Sequence, residues 1–426
     1  MGVTLVRNAM IFDGTGAPAR RGELRIAGNR IAAADEGPAD TVIDAGGRFV
    51  MPGMVEGHGH LSFENVSATE DLIAPTPEAQ TFTAARGAKA LIEAGFTSVY
   101  GASEAKLRLG AAVRDEVNAG RLPGPRIRAG GLEISVTAGM GDETREHNPR
   151  VGLGTLVDGP EEMRKAVRIH CREGVDNIKL DVSGDPFYPN TPGHCTPMTF
   201  EEIKMAVDTA HRYFKKINAH TRSIEGSKMC VRAGIDAIFH VEYSDEELLD
   251  MLEEAKDRIF VAPTVGLFHQ IMAGDATDYG LSVEIAGYMN IPELLENSCK
   301  THTKLRKRGI RHLIGGDYGF SWSPQGTQAR DLTFFVDYYG YTPAEALRCA
   351  TRNGGLAMMD DGSLGTLEPG KLADLIIVDG DPLQDPSVLV GPDNIRLVMK
   401  DGAICKNMLP QAAGGLAPAV SETVSA

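Results

Sequence analysis

The sequence predicts an α/β protein: a (β/α)8 TIM barrel over residues 54–356, joined to a small β-sandwich-like domain built from both ends of the chain, 1–53 and 357–410. Three observations lead there. Through the middle of the chain, eight short apolar runs are each followed by a helical or long irregular segment. Both ends instead show two-sided alternation broken by Asp-Gly, Gly-Asn and Gly-Gly turn signals. A doubly wound open sheet would carry a Gly-rich first turn opening a helix, and GTGAP at 14–18 comes too early, with no helix behind it.

In chain order, β-like runs occupy 3–12, 23–31 and 41–44. The barrel strands are expected at 54–58, 97–101, 126–131, 177–182, 217–220, 237–241, 260–264 and 312–316. Amphipathic helical patterns fall at 77–94, 160–173, 200–214, 244–256 and 292–307. The stretch 267–289, between the seventh strand and its helix, is long and turn-rich, which suits a lid or a subunit interface. The β rhythm returns at 373–378 and 396–400, then the Asp401-Gly402 turn and 403–406. The Ala/Gly/Ser-rich tail 411–426 has little to bury and is expected to fray.

The chain has 426 residues, 45.6 kDa, 42% hydrophobic and 24% charged, an ordinary globular composition. A net charge of −15 repels phosphate backbones and anionic lipid, so neither nucleic acid nor a membrane is the expected partner. No run of about 18 apolar residues occurs, and the first residues alternate like a strand. A soluble, cytoplasmic-type protein is expected, with a leader removed beforehand left open. The cysteines at 171, 195, 230, 299, 349 and 405 form no CxxC pair and read as reduced thiols.

The chemistry gathers at strand ends. Val55-Glu56-Gly57-His58-Gly59-His60 closes the first barrel strand. Residues i and i+2 of a strand share a side, so both imidazoles aim at one spot on the C-terminal rim, where barrels collect catalytic groups. Two neutral imidazoles make half a metal site; the bland alternative is two polar residues in a Gly-rich turn. His220 and His240 each end a short apolar run, and their separation spans one helix and two loops, which places them on adjacent strands. Asp317 follows the eighth strand, where a carboxylate can ligate a metal and move a proton, although Gly-Gly-Asp is also a common turn. Lys179 lies within the apolar run of the fourth strand. An unpaired ammonium there is costly, and a neutral amine reacts with dissolved carbon dioxide to give a carbamate, an anion that can bridge two cations. The same lysine could equally snorkel to solvent or pair with Asp176 or Asp181.

Together, His-x-His on strand one, Lys on four, His on five and six, and Asp on eight resemble the metal-dependent amidohydrolase superfamily in its binuclear, carboxylated-lysine branch. FVMPGMVEGH at 49–58 and LEPGKLADLIIVDGDPL at 367–383 carry the same resemblance, which covers about 3–406. IKLDVSG at 178–184 and RAGIDAIFH at 232–240 are similar to the imidodipeptidase and carboxypeptidase-like group, which includes the ochratoxin-degrading amidohydrolases.

The resemblance implies two divalent metal ions, zinc favoured, with His58, His60 and Asp317 on one, His220 and His240 on the other, and the carbamate of Lys179 between them. It implies a shared hydroxide attacking an amide carbonyl, with Asp317 relaying the proton to the departing amine. The implied substrate is a small N-acyl amino acid or dipeptide-like amide with a free carboxylate, ochratoxin A included; a homo-oligomer is implied as well.

Two positions depart from the relatives. Arg222 and Met140 stand where they often carry His. Arg222 could clamp a substrate carboxylate or be structurally paired; Met140 could widen the pocket or fill the core. Tyr243, His147 and His269 follow predicted strands six, three and seven and are candidate substrate contacts. An Xaa-Pro type dipeptidase fits nearly as well. A mononuclear deaminase would lack the strand-four lysine, and a catalytically dead assembly scaffold would have lost ligands, whereas all six positions are filled.

Overall fold

The computed structural model describes residues 2–33, 38–188 and 190–410. The tail expected at 411–426 lies outside the described residues.

Both ends of the chain enter one eight-stranded sheet. From one edge its order is Ala403–Asn407, Ile395–Lys400, Leu375–Val378, Phe49–Pro52, Val3–Ile11, Arg20–Ala27 and Arg30–Ile31, with Thr41–Asp44 also paired to Val3–Ile11. Side-chain alternation divides its two faces. Val50, Leu375, Ile377 and Leu397 join Val6 and Ile11 in one apolar cluster. Their neighbours Phe49, Met51, Ile376 and Val378 join residues such as Leu91 and Phe335, from the helices Pro77–Glu93 and Arg330–Tyr339, in another. One face therefore seals the sheet's own core, and the other seats it on the middle of the chain. The last hairpin pairs Lys400 with Ala403 across Asp401 (φ 51°) and Gly402 (φ 75°), the left-handed pair that a two-residue hairpin turn requires.

The middle of the chain contributes two parallel sheets. Met54–Gly59, Phe96–Gly101 and Arg126–Arg128 form one. The other runs Gly154–Leu156, Gly130–Ser135, Asn177–Asp181, Lys216–Thr221, Ala237–His240, Phe260–Ala262 and Arg311–His312. Three contacts link them: Gly57 N–H donates to Ile314 O (2.9 Å), Glu104 N–H to Gly131 O (2.7 Å), and Ser103 bridges Gly131. The strands Met54–Gly59, Phe96–Gly101, Asn177–Asp181 and Ala237–His240 are buried at every position, as parallel strands covered on both faces must be. Helices separate most successive strands, several started by a side-chain cap: Thr76, Thr199 with Glu202 in a capping box, Ser223 and Asp245.

Three local expectations change. The third strand runs on as Gly130–Ser135 and gains a partner at Gly154–Leu156. Helix Leu109–Asn118 fills a gap to which no helical pattern had been assigned, while Ile224–Ala233 is the helix expected between His220 and His240. The stretch 267–289, expected to be turn-rich, is mostly helical: Val265–Ala273, a 3-10 turn at Thr277–Tyr279, and Val283–Tyr288. Its Gly274 and Gly280 are left-handed C-caps, so the glycines that looked like turns are helix stops. Among the described residues, no helix is long and apolar enough to cross a membrane.

Candidate metal centre and active site

Glycines make the first histidine pair possible. A Cβ at Gly57 would stand 2.6 Å from Ile314 O, and one at Gly59 would stand 2.3 Å from Val99 Cγ2. The strand can therefore press against its neighbours while the alternate positions, His58 and His60, face the interior with ring centroids 5.0 Å apart. Asp317, after the last strand and at φ 61°, lies with its Oδ1 3.1 Å from His60 Nε2. One ligand atom from each of His58, His60 and Asp317 falls within 4.8 Å of the others.

His220 and His240 complete a second pair, ring centroids 4.3 Å apart, with His240 5.5 Å from His58. Strict alternation along Ala237–His240 would send Phe239 and His240 to opposite sides. A left-handed kink at His240 (φ 80°) and Val241 (φ 57°) turns both rings inward, and Phe239 stacks on His58 at 3.9 Å. Such backbone in a β-branched residue is costly and is characteristic of functional sites.

Outer partners set which ring nitrogen stays free. His60 Nδ1 donates to Ser103 O (2.9 Å), leaving Nε2 on the Asp317 side. His220 Nε2 donates to Gly184 O (3.0 Å), leaving Nδ1. His240 Nδ1 meets Thr264 Oγ1 at 2.7 Å, and both nitrogens of His58 are buried without a partner. Burial, and then Arg222, lowers the pKa of His220 to about 4 and holds His240 well below the ordinary imidazole range. Burial does the same for His58. Burial alone would raise the Asp317 carboxyl, but His58, His60 and Lys179 outweigh it and hold it below the ordinary carboxylate value. Neutral imidazoles beside an ionised carboxylate are the protonation states that metal ligation needs. The donor set thus fits a divalent cation with mixed nitrogen and oxygen ligands.

Lys179 is 2% exposed. Its Nζ lies 3.5 Å from Glu133 Oε1 and 4.0 Å from Asp181 Oδ1, so one partner foreseen from the sequence, Asp181, is present, whereas Asp176 pairs instead with Arg114. Asp181 keeps both oxygens without a hydrogen-bond partner, as does Glu133 Oε2. Burial and the Glu133 charge push the Asp181 carboxyl well up. Ser103 Oγ ties Glu133 (3.0 Å) to His60 Nδ1 (3.1 Å).

A cavity of about 370 Å3 opens on these groups, bordered by His60, Lys179, His220, His240 and Asp317. Apolar Phe63, Leu72, Leu267 and Trp322 form part of its wall, and Met140 also lines it. Arg222 borders the cavity but is already engaged. It is 1% exposed, donates from Nε to Asp185 Oδ2 (2.9 Å) and from Nη1 to Glu242, and lies over Phe268. The remaining candidates lie elsewhere. Tyr243 lines a neighbouring groove with Tyr188, His147 is exposed on its loop, and His269 meets the Tyr338 hydroxyl at 2.5 Å. The sequence reading missed Glu133, Asp185, Glu242, Ser103 and Thr264. Only Glu133 had a readable signal, an acid inside the apolar run GGLEIS, the same clue that marked Lys179.

The amidohydrolase family pattern matches residues 49–405. Ochratoxinase from Aspergillus niger is 28% identical to this chain, over 95% of this chain and 87% of that protein. The crystal structure of A. niger ochratoxinase superposes with a TM-score of 0.83 at 27% identity, covering 95% of this chain and 96% of that one. A crystal structure of an Xaa-Pro dipeptidase with bound methionine gives 0.84 at 28% identity, covering 95% and 99%. With the ligand-type side chains gathered at one cavity, these matches show that the chain belongs to the amidohydrolase family and is a hydrolase acting on amide bonds.

Proposed function

We propose that the protein is a binuclear metal-dependent amidohydrolase that cleaves the amide bond of N-acyl amino acids or dipeptide-like substrates with a free carboxylate. The observation that carries this reading is the convergence of six buried or nearly buried side chains, from distant parts of the sequence, with five of them bordering one cavity and His58 packed behind them. Both ring nitrogens of His58 lack a protein partner. In this reading the two parallel sheets are one (β/α)8 barrel over 54–356, closed at Gly57–Ile314, and the terminal sheet is a second domain of 1–53 and 357–410.

His58, His60 and Asp317 would hold one ion, His220 and His240 the other, and a carbamate on Lys179 would bridge them. Zinc ions there would acidify water and polarise the amide carbonyl. Asp317 is placed to take the proton of the attacking water and return it to the departing amine. The apolar wall suits a bulky acyl group, and the likeness to ochratoxinase makes ochratoxin A, split to phenylalanine and ochratoxin alpha, a substrate to test. Exposed Val283, Ile285 and Tyr288 on one short helix suit assembly of like subunits.

A second reading rests on the ion pair of Lys179 with Glu133. An ammonium there would leave one metal at His58, His60 and Asp317 and favour deaminase chemistry. The test is a panel of N-acyl amino acids and dipeptides assayed with and without added zinc, alongside Asp317→Asn. Turnover confined to free-carboxylate amides, lost on chelation and in Asp317→Asn, supports the proposal. Ammonia release from heterocyclic amines overturns it.

A further inference from the structure

Behind His240, on the side away from the cavity, three buried side chains form a directed hydrogen-bond chain. His302, on the helix Ile291–Lys307, places Nε2 2.7 Å from the His240 carbonyl oxygen. Its Nδ1 lies 3.0 Å from His312 Nε2, and His312 Nδ1 lies 2.7 Å from the Tyr341 hydroxyl. Both imidazoles are 0% exposed, and their rings are packed by Tyr339.

The carbonyl sets the direction of the whole chain. A carbonyl only accepts, so His302 carries its proton on Nε2, and a neutral imidazole then offers Nδ1 as an acceptor. His312 must therefore donate from Nε2, which leaves its Nδ1 to accept from the Tyr341 O–H. Each tautomer follows from the one before it, and reversing one link would set two lone pairs or two N–H groups against each other. The end of the chain is also where the backbone is least comfortable. The His240 carbonyl belongs to the left-handed kink at His240 and Val241, and strand pairing with Phe260–Ala262 stops at Phe239. That kink turns the His240 ring toward His220 and His58.

We propose that His302, oriented through His312 and Tyr341, is a positioning residue that holds the His240–Val241 kink and so aims the His240 imidazole at the metal position shared with His220. The inference rests on the binuclear reading above, in which His240 is a ligand. Losing an outer partner bonded to a ligand side chain typically costs about 10–100-fold in metal affinity or activity, and His302 acts on the same ligand through its backbone carbonyl. Glutamine can place an amide N–H near the position of Nε2, whereas leucine cannot.

The test uses the full-length protein. Zinc affinity is measured by competition with a chelator for wild type, His302→Leu and His302→Gln, and histidine tautomers are read by 15N NMR on the metal-free wild type. The expected results are Nε2-protonated His302 and His312, at least a tenfold loss of affinity for one of two zinc equivalents in His302→Leu, and recovery of most of it in His302→Gln. A folded His302→Leu with unchanged affinity overturns the proposal, as does His302→Gln binding as weakly as His302→Leu, or an Nδ1-protonated His302. If His302→Leu does not fold, a tenfold or greater loss of zinc affinity in His302→Gln relative to wild type, or an Nδ1-protonated His302, overturns the proposal, and near-wild-type affinity with Nε2-protonated His302 supports it. A wild type that takes up fewer than two zinc ions overturns the binuclear reading and this role with it, and that failure is distinct because it shows without any variant.

Discussion

Arg222→Met takes the guanidinium away from Asp185 and Glu242 while keeping an apolar stem on Phe268. Breaking a buried ion pair by removing one partner costs about 3–5 kcal/mol, because the other charge is left uncompensated. At about 1.4 kcal/mol per decade, that is two to four decades in the folded-to-unfolded ratio. The loss must depend on pH. Burial, partly offset by Arg222, already raises the Glu242 pKa to about 7, above its unfolded value. A carboxyl raised on folding binds more protons in the native state, so its contribution to stability falls as pH rises from the unfolded to the folded pKa. Without Arg222 the folded value moves higher, and the falling window extends past pH 7. The deficit of Arg222→Met is therefore smaller at pH 6 than at pH 8, and Glu242→Gln on top of it recovers part of the loss at pH 8. Urea unfolding of metal-free protein at both pH values measures this through the midpoint. A loss below about 1 kcal/mol, or one independent of pH, would refute the ion-pair account of Arg222.

Gly57→Ala drives a methyl into Ile314 O and Leu313; overpacking of this kind costs about 1–3 kcal/mol. Because the methyl sits next to His58, zinc affinity should fall along with the melting temperature, and normal affinity in a destabilised variant would count against the placement of His58. Asp331 accepts from Tyr318 O–H (2.9 Å) and Gly315 N–H (2.8 Å), and burial raises its pKa to about 7. Wild type should therefore lose up to about 1.4 kcal/mol per pH unit more than Asp331→Asn as pH rises from about 4 to 7; parallel stability profiles would contradict this.

Much of this arrangement could be read from the chain because the proposed ligands obey a local rule. His58 and His60 sit two apart on a strand, His220 and His240 end apolar runs, and Lys179 interrupts one. Each signal lies within a few residues of its bearer. The acids that hold the site carry no such mark. Asp185 and Glu242 stand in ordinary loop text, and their partner Arg222 is 37 and 20 residues away. Nothing in Ala-Ile-Phe-His announced a left-handed kink either, since that conformation is imposed by tertiary packing. The glycines of 267–289 misled for the opposite reason, because a C-cap and a turn use the same residue.

The central claim is that Lys179 is carboxylated between two metal ions. A crystal structure of zinc-loaded protein, with data at the zinc edge, tests it most directly. The account predicts two anomalous peaks, one against His58, His60 and Asp317 and one against His220 and His240, with density for a carbamate on Lys179 Nζ between them. An unmodified Lys179 still paired with Glu133, beside one peak or none, would contradict it.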